Sequence, residues 1–308
     1  MSSASEGRFL SSSVPLLTRP PRSATLLTDD GVPVEAVYEP CTTGAGTPGG
    51  AAGEGPVAPP AIVVAHGFTG SADRPAVRRA ARVFARRAAV VTFSFRGHGR
   101  SGGRSTVGDR EVLDLAAAVA WARELGHSRV VTVGFSMGGS VVLRHGALYA
   151  AGPAETLTGR TTVRVPAREG RTGSAGAHPD AVVSVSAPAR WYYRGTAPMR
   201  RLHWVVTRPS GRLVGRYGLR TRIATEDWDP VPLSPVAAVP LIAPAPLLLV
   251  HGDRDPYFPL DHPRMLAEAA GPGGAELWLE RGMGHAENAA DDALLARIAD
   301  WATAAPRA

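Results

Sequence analysis

The feature that most restricts the fold lies at residues 131–150. There an apolar stretch, Val131-Thr132-Val133, runs through Gly134-Phe135-Ser136-Met137-Gly138 into a helix-like segment over 139–150. A strand that turns into a helix with no spacer must bend sharply, and a large side chain two positions before or after the serine would collide with neighbouring elements. Both positions are glycine. The bend is expected to hold Ser136 near the left-handed backbone region, a strain tolerated mainly at functional turns. The N-terminal N–H groups of the following helix point toward the hydroxyl and favour a developing negative charge there. Strands and helices alternate from residue 61 to the C-terminus, which argues for a parallel sheet.

A serine hydroxyl is a poor nucleophile without a base, and the base needs an orienting partner. Residues 246–250 read as a buried strand and lead into His251-Gly252-Asp253-Arg254-Asp255-Pro256. Residues 276–280 alternate like a strand and lead into Arg281-Gly282-Met283-Gly284-His285. An acid and a histidine therefore each follow a strand, in the chain order Ser, Asp, His. Upstream, the apolar strand at 61–65 ends in His66-Gly67-Phe68-Thr69-Gly70, a turn able to aim a backbone N–H at an oxyanion; the N–H of Met137 would be the second donor. Another strand, 88–95, ends in Arg96-Gly97-His98-Gly99-Arg100-Ser101.

These five motifs, in this order, resemble the α/β-hydrolase superfamily, in particular its esterase, lysophospholipase-like and serine-aminopeptidase-like branch. The resemblance covers roughly residues 24–303. It implies an α/β-hydrolase fold: a mostly parallel central sheet flanked by helices, with a lid inserted after the sixth core strand. Position by position it implies Ser136 as nucleophile, Asp255 as acid, His285 as base, and the N–H groups of Phe68 and Met137 as oxyanion donors. Asp253 competes with Asp255, and the family spacing His-Gly-x-x-Asp selects Asp255. Of nine histidines, His66, His98 and His251 belong to tight turns and are expected to be hydrogen-bonded turn residues. His145 lies in the helix after the nucleophile and His262 just past the acid loop. His127, His178 and His203 have no motif around them. His285 alone sits in a glycine-flanked loop after the last strand. The implied activity is hydrolysis of a small-molecule acyl ester, acylglycerol, lysophospholipid or thioester. The alternatives are amide or peptide cleavage on the same fold, or a non-catalytic binding protein. No metal or organic cofactor is implied, since no two histidines have helical i, i+4 spacing with a glutamate between them.

Composition narrows the partners. The net charge is +7, and all 34 basic residues are arginine, with no lysine and no glutamine. With the abundant Ala, Gly and Pro, this reads as the codon bias of a GC-rich genome rather than as a nucleic-acid site, and no nucleic-acid motif accompanies it. Cys41 is the single cysteine, so no intrachain disulfide forms. The N-terminus lacks the apolar core of a signal peptide, and the longest apolar run, 236–250, is too short and too proline-rich to span a bilayer. A soluble cytoplasmic protein is the expectation; composition leaves its oligomeric state open.

Residues 1–22 are expected to form a loose arm, and 24–27 with 32–37 a hairpin turned by Asp29-Asp30-Gly31, with Pro33 placing the second strand's start at an edge. The core is expected over 23–186 and 246–308, with flexible loops at 40–60 and 151–179. Helices are expected near 75–88, opening on Pro75, and near 109–125, 261–270 and 290–303. Residues 187–245 would be the lid. Between Trp191 and Thr225 this segment carries Arg194, Arg200, Arg201, Arg208, Arg212, Arg216, Arg220 and Arg222 and no acid, interleaved with Trp191, Tyr192, Tyr193, Trp204 and Tyr217. Two readings stay open. The lid attracts an anionic substrate or anionic lipid headgroups, or its arginines are solvated and only reflect composition.

Overall fold

The computed structural model describes residues 20–43, 58–150 and 176–306. Within them the strands are β1 (Arg22–Leu27), β2 (Pro33–Glu39), β3 (Ala61–Ala65), β4 (Ala89–Phe93), β5 (Val130–Phe135), β6 (Ala181–Val185), β7 (Leu247–Gly252) and β8 (Glu276–Glu280). The helices are α1 (Pro75–Phe84), α2 (Glu111–Glu124), α3 (Met137–Leu148), α4 (Ala197–Thr207), α5 (Pro209–Tyr217), α6 (Pro235–Ala238), α7 (Asp261–Ala270), α8 (Ala286–Ala289) and α9 (Asp292–Ala304). All the strands lie in one sheet, ordered β1-β2-β4-β3-β5-β6-β7-β8. From β4 to β8 neighbours run parallel; β2 is antiparallel to both β1 and β4.

Every residue of β3 to β7 is buried. A parallel sheet covered on both faces demands this, and the runs of Val, Ile and Leu supply it. Alternate residues feed two cores. Val63, Val91 and Phe93 meet α2, α3 and α7 on one face. Ile62, Val64, Val133 and Phe135 meet α1 and α9 on the other. Pro75 opens α1, and the Asp291 carboxylate accepts the Leu294 N–H at 2.8 Å to cap α9. Leu294, Leu295 and Ile298 of α9 are buried, while Trp301 is only half-buried and donates its indole N–H to Glu276.

The hairpin forms, and β1 takes its first residue, Arg22, from the end of the stretch expected as an arm. β2 is an interior strand, yet Pro33 sits at its start. Pro33 pairs with Leu27 of β1, whereas pairing with β4 begins only at Ala36, so its missing N–H breaks no ladder there. Residues 1–19, 44–57 and 151–175, which hold most of the expected arm and of both expected loops, lie outside the described residues. Residues 187–245 leave the sheet between β6 and β7 and carry α4, α5 and α6. Among the described residues no helix is long and apolar enough to cross a membrane.

The strand order reverses at β3. The chain goes from β3 outward to β4, then returns past β3 to β5. In open α/β sheets ligands bind beyond the carboxyl ends of the strands at such a switch point. The turn after β3 and the turn after β5 flank that crevice.

Candidate active site

Ser136 occupies the turn between β5 and α3 with φ 53° and ψ −114°. The positive φ is the expected strain, although ψ lies outside the left-handed helical well. Its N–H donates to the Val185 carbonyl at 2.9 Å. A Cβ on Gly134 would stand 2.2 Å from the Gly138 carbonyl oxygen, and one on Gly138 would stand 2.2 Å from that of Ala65. Both obstacles are backbone, so neither can move aside. The glycines let β5, α3 and the end of β3 meet, and the serine is pushed up between them.

β7 and β8 deliver the other two groups. The Ser136 hydroxyl lies 2.8 Å from His285 Nε2, and His285 Nδ1 lies 2.7 Å from Asp255 Oδ2. A carboxylate facing Nδ1 fixes the proton there, which leaves Nε2 to accept from the serine. Asp255 has a fully buried side chain, and its Oδ1 accepts the N–H groups of Tyr257 at 2.8 Å and Phe258 at 3.1 Å. Burial pushes this carboxyl up, but the His285 hydrogen bond and charge, together with the two amides, outweigh it and hold its pKa below the ordinary aspartate value. The His285 ring stacks on Tyr257 at 4.3 Å. Asp253, the competitor, instead accepts the Gly282 N–H at 2.6 Å and anchors the turn after β8. The structure thus brings Asp255, and not Asp253, to the histidine.

The turn after β3 is set by its histidines. His66 Nε2 accepts the Phe95 N–H at 3.0 Å, so Nδ1 carries the proton and donates to the Gly67 carbonyl at 2.7 Å. Burial, aided by His98, lowers its pKa to about 3. His98 Nε2 accepts the Thr69 N–H at 3.2 Å, and its Nδ1 donates to the Arg96 carbonyl at 3.0 Å. His251 donates to the Phe258 carbonyl at 2.9 Å and supports the acid loop. His66 and His98 are hydrogen-bonded turn residues, as expected; His251 is hydrogen-bonded too but sits within the end of β7 and not in the turn. The Gly67 N–H donates to Glu287 Oε1 at 3.3 Å. The amides on either side of Phe68 are therefore occupied, whereas neither the Phe68 nor the Met137 N–H donates to another described residue. Phe68 and Met137 line one cavity with Ser136. The sequence reading missed Glu287; an isolated carboxylate two residues after His285, in a short alanine-rich helix, was the available signal.

That cavity, of about 190 Å³, is lined from the core by Phe68, Val107 and Met137 and from the 187–245 segment by Trp191, Met199 and Leu202. One side of the segment is tied down. Ser105 N–H donates to Arg222 at 2.7 Å, Ala224 N–H to Ser105 at 2.8 Å, and the Trp228 indole to Thr106 at 2.7 Å. The loop it meets is itself held by hydrogen bonds. The buried Glu111 carboxylate, also missed from sequence, accepts the hydroxyls of Ser105 and Thr106 and the N–H groups of Thr106, Val107 and Gly108. Of the five aromatics singled out in sequence, Trp191, Tyr192 and Tyr193 line the cavity, and Trp204 and Tyr217 do not.

The sequence pattern of the alpha/beta hydrolase family matches residues 62–298. No curated protein matches this chain. Among solved structures, the Pyrococcus furiosus esterase Pf2001 is similar at 19% identity and a TM-score of 0.62, over 92% of this chain and 91% of that one. XC6422 from Xanthomonas campestris, described as an α/β serine hydrolase without a lid, is similar at 18% identity and a TM-score of 0.51, over 94% of each chain. A Mycobacterium tuberculosis puromycin-hydrolysing peptidase is similar at 20% identity and a TM-score of 0.56, over 92% of this chain and 38% of that one. At such identities the likeness speaks for the fold.

Proposed function

Because the chain belongs to the alpha/beta hydrolase family, we propose that it is a serine hydrolase that cleaves carboxylic esters through an acyl-enzyme on Ser136. The observation that carries this reading is the unbroken relay from Ser136 Oγ to His285 Nε2 at 2.8 Å and from His285 Nδ1 to Asp255 at 2.7 Å. His285 takes the hydroxyl proton as Ser136 Oγ attacks the acyl carbon. Asp255 holds the tautomer and stabilises the imidazolium. The Phe68 and Met137 N–H groups receive the oxyanion. His285 then gives its proton to the leaving alkoxide as the C–O bond breaks. Water, deprotonated by the same imidazole, attacks the acyl-enzyme; the carboxylic acid leaves and Ser136 regains its proton. These steps need no cofactor. The mainly apolar cavity wall suits an acyl chain better than a peptide backbone with its obligatory polar groups, which favours esters over amides. Residues 187–245 would act as the lid over that chain.

The test is a panel of p-nitrophenyl esters from acetate to palmitate, run beside aminoacyl anilides, with a fluorophosphonate probe. Ester turnover should exceed anilide turnover, and Ser136→Ala should abolish labelling and cut turnover by roughly 10⁴-fold or more. Stoichiometric labelling of the alanine variant would remove Ser136 from the mechanism.

A further inference from the structure

α5 is built inside out. Its buried residues are Gly211 and Gly215, and its large apolar residues point to solvent: Leu213 is 59% exposed, Val214 46% and Tyr217 75%. Gly211 is compelled by packing on α4, since a Cβ there would stand 2.2 Å from the Trp204 carbonyl oxygen, while a Cβ on Gly215 would press on the Ile223 side chain at 3.0 Å. On α4, Trp204 is also 45% exposed. The four side chains are exposed apolar groups on a pair of helices that pack mainly on each other. Monomeric soluble proteins seldom leave such a surface bare without a partner.

Its surroundings identify the partner. Arg200, Arg201, Arg208, Arg216 and Arg220 are exposed on the same two helices, at their junction and in the turn after them. Among the described residues none of these five lies within salt-bridge distance of a carboxylate, and residues 191–225 contain no acid to offer. Exposed Leu and Val beside Trp and Tyr, with guanidinium groups that have no carboxylate partner on the same helices, match an interface with apolar tails beneath anionic headgroups. Arginine stems lie along the apolar zone while their heads stay among phosphates. The other side of α4 faces the candidate active site, where Met199 and Leu202 line the cavity. One helix therefore connects the outer surface to the acyl cavity.

We propose that the α4–α5 pair docks on an anionic lipid surface and that the ester substrate is drawn from it. The second half of this statement rests on the ester-hydrolase reading; the docking does not. The full-length protein should co-sediment with vesicles of phosphatidylcholine mixed with phosphatidylglycerol at least about tenfold better than with phosphatidylcholine alone, and the advantage should shrink as salt is added. Ser136→Ala should sediment like the parent, so loss of catalysis and loss of docking are read separately. Leu213→Ser combined with Tyr217→Ser should weaken vesicle binding about tenfold while leaving p-nitrophenyl acetate hydrolysis unchanged, because neither residue lines the cavity. Brominated lipid should quench the parent's tryptophan emission more than that of Trp204→Phe, a comparison that leaves the helix intact. Three results would overturn the proposal. One is equal binding to both kinds of vesicle. Another is vesicle binding and quenching insensitive to these substitutions. The third is a dimer in light scattering that the Leu213/Tyr217 variant dissolves, which would assign the face to a second copy of the chain.

Discussion

Two places in the molecule use buried glycines to bring elements close together, with opposite consequences. At the turn after β5, Gly134 and Gly138 let α3 close onto the end of β3, and the residue lifted between them, Ser136, faces the cavity. In α5, Gly211 and Gly215 let the helix close onto α4 and the segment near Ile223, and the residues displaced outward are Leu213, Val214 and Tyr217. A missing Cβ decides not only how near two elements come but also which side chains must face away. At the first site the outward residue is polar and meets His285 Nε2 at 2.8 Å. At the second the outward residues are apolar and meet solvent.

The largest expected effect sharpens the first half of this contrast. Asp255→Asn should lower turnover by about 10⁴-fold, since an amide offers the histidine the wrong tautomer. Asp253→Asn should cost far less, because that carboxylate serves only the Gly282 turn. Steady-state rates on one soluble ester decide it. The reverse ranking would reassign the acid.

The glycines themselves come next. Gly138→Ala and Gly211→Ala each place a methyl 2.2 Å from a carbonyl oxygen. Both should destabilise the fold by about 1–3 kcal/mol, as overpacking does, which denaturant titration would read. Only Gly138→Ala should also abolish fluorophosphonate labelling, because Ser136 and the Met137 amide move with it. Equal labelling by both variants would mean that the elbow tolerates displacement and that the two sets of glycines act alike.

The elbow and its partners were legible in the sequence because their constraints are local. Glycines two residues either side of a serine, and an acid and a histidine each just past a strand, can be read without knowing the fold. α5 was not legible in the same way. Its arginines and aromatics were visible, but whether Gly211 or Leu213 faces inward depends on α4, which is a tertiary fact. Likewise Glu111 and Glu287 look like ordinary surface carboxylates until the loops at 105–108 and 67 are folded around them. Arg96 stood inside a recognised motif, yet its buried fork onto Asp114 and Asp30 joins α2 to the β1–β2 turn across distances no local pattern encodes.

A pH-dependent effect tests the buried histidines of the core. Burial lowers the pKa of His66 and of His145 to about 3 each, so both are neutral in the folded state and regain ordinary values near 6.5 on unfolding. Their stabilisation is complete above about pH 6.5 and is lost as pH falls through the folded values. Within that window each should steepen the decline by about 1.4 kcal/mol per pH unit. Urea titrations from pH 7.5 to 4.5 should show this slope, and His145→Leu should reduce it by one proton. A slope unchanged by that substitution would mean that His145 is protonated in the core.

The smallest expected effect tests the inner face of the insertion. Trp191 lies against Trp228 with ring centres 5.1 Å apart and donates its indole N–H to the Pro232 carbonyl at 2.9 Å. It lines the cavity with Ser136, yet among the described residues its hydrogen bond and ring contact go to Pro232 and Trp228 and not to the relay. Removing the ring enlarges the apolar wall without changing Ser136, His285, Asp255 or the amides of Phe68 and Met137. Discrimination by a hydrophobic pocket is modest, about 1–3 kcal/mol per methylene at most. Trp191→Ala should therefore shift the ratio of long-chain to short-chain ester turnover by roughly tenfold or less. The rate of labelling by a small phosphonate should stay within about twofold, since that probe needs only the relay and the oxyanion amides. Parallel losses on both esters and on the phosphonate would show that Trp191 holds the insertion in place rather than shaping the pocket. The inner face would then be structural, and only the outer face of the same segment would remain for recognition.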